Sequence, residues 1–178
     1  MKELAFILNL LGLAATLAAS LIKGEKMKKV LVLILIGNAL VAIGYLCSGT
    51  GINGAASGLL ACVQTLINFI FDAKNKPIPK WLIGIYIASF IAVNILVGGF
   101  TVATLLASLA CIAFIISILQ KNGKNFRICA IVNTVIWISY DLFTGSYSAL
   151  ITHGTILAVN VVGFLIHDLN KKKRVASK

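Results

Sequence analysis

Seven long apolar runs divide this 178-residue chain and limit its fold more than any other feature. They cover residues 4–22, 30–47, 55–71, 81–97, 100–119, 128–144 and 147–167. Each is close to the roughly 20 residues with which a helix crosses the hydrocarbon core of a bilayer. Because hydrocarbon offers backbone amides no partner, a spanning segment must form its own hydrogen bonds. We therefore expect an all-α integral membrane protein with seven transmembrane helices and no separate soluble domain.

Composition agrees with lipid as the main solvent. Hydrophobic residues make up 60% of the chain and charged residues 12%, which leaves too little polar surface to cover a soluble globule. The net charge of +11 does not predict nucleic-acid binding, because the basic residues form short clusters between the apolar runs. The cysteines lack the spacing of a metal site or a disulfide framework and are interpreted as packing residues: Cys47, Cys62, Cys111 and Cys129. The lipid bilayer is thus an expected partner, whereas nucleic acid, metal ions and cofactors are not.

The basic residues predict the orientation in the membrane. Segments 23–29, 72–80 and 120–127 and the tail from residue 168 carry 15 of the 16 Lys and Arg, and the intervening loops carry none. Cytoplasmic loops are enriched in Lys and Arg, so the pattern predicts an odd number of spans, an outside N-terminus and a cytoplasmic C-terminus. The first run could instead be a cleaved signal peptide. Cleavage would place the basic segment 23–29 outside, so we favour a retained helix.

An internal repeat relates residues 38–76 to residues 133–172. Polar and glycine positions agree, pairing Asn38 with Asn133, Tyr45 with Tyr140, Gly49 with Gly145, Gly58 with Gly154, Gln64 with Asn160 and Asp72 with Asp168. A unit of three helices is odd and would invert the second copy, but the intervening run restores its direction. This predicts two parallel three-helix bundles in a 3+1+3 arrangement. The parts are a first bundle at 1–80, a linker helix at 81–99, a second bundle at 100–170 and a basic cytoplasmic tail at 171–178.

The sixth run carries a polar and aromatic stripe. Asn133, Trp137, Tyr140 and Asp141 share one side of a helix. Aromatic rings can stack on a flat or sugar-like ring while amides and carboxylates bond its substituents, so the stripe is typical of a solute pocket. For Tyr140 and Asp141 the alternative is an interfacial position, with Tyr140 in the aromatic belt and Asp141 in headgroup water.

Single polar residues on other runs extend the candidate site. The amides of Gln64 and Asn160 fall near the middle of their spans, where an unpaired amide is costly and should face protein or a water-filled cavity. Adhesion between helices is the alternative. His153 shares a side with Asn160 and could titrate near neutral pH. A structural role is favoured because no clear acidic partner is evident in the sequence.

Four residues are candidates for gates, namely Tyr45, Asp141, Asp72 and Asp168. Asp72 and Asp168 are expected at cytoplasmic helix ends beside lysines. Such positions favour ordinary interfacial charges. An inner gate formed by these two carboxylates is the alternative.

Two stretches of the chain carry a family resemblance: "YDLFTGSYSALITHGTILAVNVVGFLIHDLNK" and its first-copy counterpart "GYLCSGTGINGAASGLLACVQTLINFIFD". They resemble the YgjV-type bacterial inner-membrane proteins, and the 3+1+3 organisation resembles the SWEET, PQ-loop and PnuC class of small-solute transporters. The resemblance implies a SWEET-like fold in the bacterial cytoplasmic membrane and a solute site at amides on the third and seventh helices, here Gln64 and Asn160. The paired Pro-Gln motifs of PQ-loop proteins are missing, since the only prolines are Pro77 and Pro79. Proline-hinged rocking is therefore not implied, and the YgjV-type resemblance implies no substrate.

The sequence contains no catalytic triad, phosphate loop or catalytic carboxylate pair, so we do not expect an enzyme. We expect a passive facilitator of a small polar solute, with a site between the bundles near mid-membrane that opens alternately to each side. The residues expected at this site are Asn38, Gln64, Asn133, Trp137, Tyr140, His153 and Asn160. The alternatives are a non-transporting receptor or scaffold of the same fold and a proton-coupled carrier that uses His153. The sequence leaves a homo-oligomer open.

Overall fold

The computed structural model describes residues 1–21, 27–120 and 123–165, and within them every regular element is a helix. Each of the seven apolar runs corresponds to one helix, which confirms the all-α class. The helices are α1 (Lys2–Leu21), α2 (Met27–Ser48), α3 (Ile52–Ala73), α4 (Lys80–Gly98), α5 (Val102–Ile118), α6 (Gly123–Thr144) and α7 (Tyr147–Phe164). Asp168 and the basic tail 171–178 lie outside the described residues.

Six of the seven helices in the described residues are long and apolar enough to cross a membrane. The exception is α5, which is apolar but has 17 residues. At about 1.5 Å per residue it spans about 26 Å, somewhat less than the roughly 30 Å of hydrocarbon. It is shorter than its apolar run because Gly99, at φ 63, ends α4 and the Thr101 side chain caps α5 by accepting a bond from the Thr104 amide. A seventh span at α5 stays a prediction.

Apolar side chains lie on the outside of the bundle and polar ones lie inside. Leu66, Ile85 and Leu105 are exposed, whereas Asn94 and Asp141 are fully buried. This distribution reverses that of a soluble protein. It suits hydrocarbon as the solvent, because a polar group needs a partner there while an apolar group does not.

Neighbouring helices in the sequence pack against each other, and α1 packs against α7, so the helices form a closed ring. In addition α3 contacts α5, and α4 lies against both. The loops 49–51 and 145–146 lie together at one end of the ring, where Ser146 Oγ donates to Thr50 Oγ1 at 3.2 Å. We call this end the glycine end. The opposite end, where residues 74–79 join α3 to α4, is the basic end.

A buried network of amides and hydroxyls joins α3, α4 and α5. Asn53 Nδ2 donates to the Asn94 carbonyl at 2.8 Å and lies 3.3 Å from Thr104 Oγ1, and Ser57 Oγ lies 3.1 Å from Asn94 Oδ1. A smaller contact joins α1 to α7, where Asn9 Nδ2 donates to Ser148 Oγ at 3.0 Å. These bonds satisfy most of the polar groups involved and hold helices together by adhesion.

The close approach of α3 to α4 requires a glycine at position 98. A Cβ atom there would lie 2.3 Å from Asn53 Oδ1 and 2.6 Å from Thr104 Oγ1. Neither side chain can move aside without giving up bonds of the buried network.

We predict that Gly98→Ala lowers the free energy of unfolding by about 1–3 kcal/mol, the usual cost of overpacking a tight contact. Thermal unfolding of the detergent-solubilised protein, followed by size-exclusion fluorescence, measures the effect. Gly84→Ala is the matched control, since Gly84 lies on the same helix with nothing within 4 Å of its Cβ position. Equal melting temperatures for the two variants would contradict the packing argument.

Candidate functional site

A cavity of about 160 Å³ lies inside the ring and is lined by residues of all seven helices. This volume is far above the roughly 10–15 Å³ that one water molecule needs, so it accommodates a small solute or several waters. Its polar lining comes from both repeat copies and consists of Thr16, Asn38, Ser57, Ser117, Asn133, Thr134 and Asn160, together with Tyr45, Trp137 and His153.

The cavity extends along the bundle towards the basic end. Its lining includes Ile118, the last residue of α5, and Phe126, in the first turn of α6. Towards the glycine end the lining stops at Tyr45, Gly54 and His153, and no described residue of the loops 49–51 or 145–146 contributes to it. The cavity therefore approaches one end of the bundle more closely than the other.

Two equivalent tyrosines close the glycine end. Tyr45 Oη donates to Asp141 Oδ1, and Tyr140 Oη accepts a bond from the Gly54 amide at 2.9 Å. The two rings meet edge to face with centroids 6.2 Å apart. Each tyrosine thus bonds the opposite repeat copy. We call Tyr45, Tyr140, Asp141 and Gly54 the tyrosine lock.

Gly54 allows the lock to form. A Cβ atom at this position would lie 2.7 Å from the Tyr45 ring, so a larger residue would push the ring away from Asp141. The loop before α3 also needs a glycine, because Gly51 has φ 67, in the left-handed region.

Asp141 bonds His153 as well as Tyr45. Oδ2 of Asp141 lies 2.6 Å from Nδ1 of His153, and the carboxylate has no exposure. The sequence showed no clear acidic partner for His153, and the structure corrects that reading. The periodicity of α6 and α7 could not reveal the pair, because it depends on how the two helices are rotated against each other.

Aromatic contacts hold the imidazole in place. The Trp137 indole stacks on His153 with centroids 5.7 Å apart and planes inclined by 12°. Trp137 also meets Tyr140 edge to face at 5.3 Å. Tyr140 and Asp141 are both fully buried, so the interfacial alternative for these two residues is wrong.

The asparagines Asn38 and Asn133 both line the cavity. Asn38 Nδ2 and Asn133 Oδ1 are buried, and neither has a hydrogen-bond partner in the described part of the chain. Because a buried amide is normally paired, these two atoms present a free donor and a free acceptor. Asn160 lines the same cavity.

Gln64 does not join this group. Its side chain is buried at 1% exposure, and neither its Nε2 nor its Oε1 has a partner among the described residues. The lining residues of α3 end at Ala61, almost one turn before Gln64. The structure therefore does not bring Gln64 and Asn160 together at one cavity, and we have no physical account of how the Gln64 amide is satisfied.

The remaining predicted residues lie away from the cavity. Tyr140 and Asp141 belong to the tyrosine lock and do not line the cavity. Asp72 lies near the basic end of α3, and its predicted gate partner Asp168 lies outside the described residues, so an inner gate stays a prediction. The described residues contain no group of three or more His, Cys, Asp or Glu that could hold a metal ion.

Sequence reasoning missed three hydroxyls of the lining, Thr16, Ser117 and Thr134. Each of them bonds a carbonyl of its own helix: Thr16 bonds Gly12, Ser117 bonds Phe114 and Thr134 bonds Ala130. Such residues are common in membrane helices and give no signal of their own in the sequence.

Comparison with known proteins places the chain in a family. A family model described as "Imp-YgjV: Bacterial inner membrane protein" matches residues 4–171. No curated protein and no solved structure matches the chain. The family and the six apolar helices of spanning length in the described residues agree on a multi-pass protein of the inner membrane. The chain belongs to the Imp-YgjV family of bacterial inner membrane proteins.

Proposed function

We propose that this protein carries a small polar solute across the inner membrane by alternating access, with the solute bound in the central cavity. The observation that carries the proposal is that Asn38 and Asn133 both line the cavity and each has one buried polar atom with no hydrogen-bond partner among the described residues. The two asparagines are repeat equivalents on α2 and α6, so a solute between them contacts both copies. A site shared by two repeats is the usual arrangement in secondary transporters.

Comparison of the amides within the bundle supports a ligand-binding role. Asn53 and Asn94 bond each other and neighbouring groups, as expected for residues that hold helices together. Asn38 Nδ2 and Asn133 Oδ1 are buried and have no partner in the part of the chain that the structure describes. An unpaired amide in hydrocarbon costs more than any packing advantage it brings. Water or a solute in the cavity satisfies these atoms.

The transport cycle we propose moves the two repeat copies against each other in a 3+1+3 arrangement. The distribution of Lys and Arg assigns the basic end to the cytoplasm and the glycine end to the outside. In this conformation the tyrosine lock closes the outer end. Opening it requires the Tyr45 to Asp141 and the Gly54 to Tyr140 bonds to break, together with the Ser146 to Thr50 contact.

A non-transporting receptor of the same fold is the second candidate. The tyrosine lock favours it, because a receptor needs a pocket that stays closed at one end. The two candidates differ in one respect. A carrier must open the lock during its cycle, whereas a receptor binds its ligand with the lock intact.

For the carrier we predict flux in proteoliposomes, tested with a panel of labelled glucose, glycerol, uridine and glutamine against empty liposomes. Asn133→Ala should slow the initial rate of any solute that passes by roughly tenfold or more, which corresponds to about 1.4 kcal/mol and the loss of a hydrogen bond. Ser139→Ala is the matched control, since Ser139 lies on the same helix, is exposed and bonds the Val135 carbonyl of that helix. Equal rates for Asn133→Ala and Ser139→Ala would remove Asn133 from the site.

A cross-link at the glycine end distinguishes the carrier from the receptor. We predict that Thr50→Cys with Ser146→Cys, in a Cys47→Ser background, loses flux on oxidation and regains it on reduction, because the tyrosine lock can no longer open. Each single cysteine variant serves as its own control under the same oxidant. Flux that persists in the oxidised protein, with the disulfide verified by mass spectrometry, would show that transport does not require the glycine end to open. A protein that binds a panel solute in thermal-shift assays but never passes it is a receptor.

A further inference from the structure

The pair formed by Asp141 and His153 lies between the cavity and the tyrosine lock. His153 lines the cavity and has a side-chain exposure of 12%, whereas Asp141 has none. One carboxylate oxygen faces the imidazole and the other accepts from Tyr45. Among the described residues nothing bonds Nε2 of His153. The imidazole therefore contacts Asp141 through Nδ1, and its Nε2 can bond water or a solute in the cavity.

The charge of this pair depends on one proton. With an imidazolium the pair is neutral, and Nδ1–H donates to the carboxylate. With a neutral imidazole the buried carboxylate is left with an uncompensated charge, which is costly inside a membrane. In the described part of the chain, His153 is the ion-pair partner of Asp141.

The surrounding groups do not replace the imidazolium. The elements packed around the pair contribute Tyr45 from α2, Tyr140 from α6 and Cys111 from α5, all neutral at pH 7 in their usual states. On α1, which packs against α7, the charged residues are Lys2 and Glu3, both exposed at the first turn. No described Lys or Arg lines the cavity.

We infer that the protein is a proton-linked carrier in which the His153 and Asp141 pair binds one proton per cycle, and Tyr45 couples that proton to the outer gate. The inference rests on the proposed transport function. A protonated pair keeps Asp141 neutralised and the tyrosine lock closed. Loss of the proton leaves a carboxylate that water must stabilise, which favours opening of the lock.

The direction of coupling follows from these two states. In the open state the imidazole takes a proton from outside water, and the lock closes over the neutral pair. In the closed state Nε2 gives that proton to water in the cavity, which approaches the basic end. The deprotonated pair then favours reopening to the outside. Symport further requires that the lock closes only over a site that holds both the solute and the proton, and that it reopens only after both have left; the solute is then carried inward with the proton.

The repeat supports a single proton site. The residues equivalent to His153 and Asp141 in the first copy are Ser57 and Leu46. Ser57 bonds Asn94 in the adhesive network. The two copies share the tyrosines of the lock, but the second copy alone carries the titratable pair.

The test begins without any solute. In Trp81→Phe, Trp137 is the sole tryptophan and stacks on His153, and an imidazolium quenches indole fluorescence more strongly than a neutral imidazole. We predict that emission falls as pH decreases within about pH 5 to 8, and that His153→Gln abolishes the transition. A flat profile of Trp81→Phe across this range overturns the inference, and this reading needs no substitution in the pair.

The second arm measures coupling in proteoliposomes with the same solute panel. An acidic outside should drive accumulation of the transported solute above equilibrium and acidify entrapped pyranine, and His153→Gln should lose both effects. Thr155→Ala is the matched control on α7, since its hydroxyl bonds the Ile151 carbonyl of its own helix. Wild-type flux that ignores the pH gradient overturns proton coupling and leaves the carrier intact. If no panel solute passes although the emission of Trp137 still changes with pH, the carrier proposal fails.

Discussion

A polar group without a partner is costly in hydrocarbon, and the main features of this protein follow from that constraint. It requires the backbone to be helical wherever the chain crosses the membrane. It also requires each polar side chain inside the bundle to find a bond or a water-filled space. Asn53 and Asn94 meet the second requirement by bonding each other, whereas Asn38 and Asn133 line a cavity. The same residue type thus holds helices together in one place and lines a cavity in another, and the surrounding geometry decides which.

Asp141 is the most demanding case of this constraint. Its carboxylate has no exposure and uses both oxygens, one towards Tyr45 and one towards His153. A group held from two helices of different repeat copies cannot keep both bonds if the copies separate at the glycine end. The position of the carboxylate therefore links the closure of the glycine end to the contact with the imidazole. No other described carboxylate has this arrangement, since Glu3 and Asp72 lie at helix ends.

The sequence was sufficient to predict the helices, because apolar runs report burial in lipid directly and each of the seven runs became one helix. Asn133, Trp137 and Asn160 all line one cavity. The helical periodicity of α6 indicated Asn133 and Trp137, and the repeat indicated Asn133 and Asn160. The sequence could not supply the rotation of one helix against another. That rotation pairs His153 with Asp141 and keeps Gln64 away from the lining. The late start of α5, at Val102 rather than at residue 100, was equally local, set by a cap at Thr101 rather than by hydropathy.

The two repeat copies are alike at the tyrosine lock and differ around it. Tyr45 and Tyr140 occupy equivalent positions and each bonds the opposite copy. Around them the copies differ, because the positions of Trp137 and His153 correspond to Ala42 and Ser57 in the first copy. The first copy uses its polar residues to hold α4, and the second carries the aromatic and titratable groups. A perfectly symmetric pair of bundles would respond in the same way to a proton from either side. The pair of His153 and Asp141 lies in one copy only, next to the tyrosine lock, and removes that equivalence.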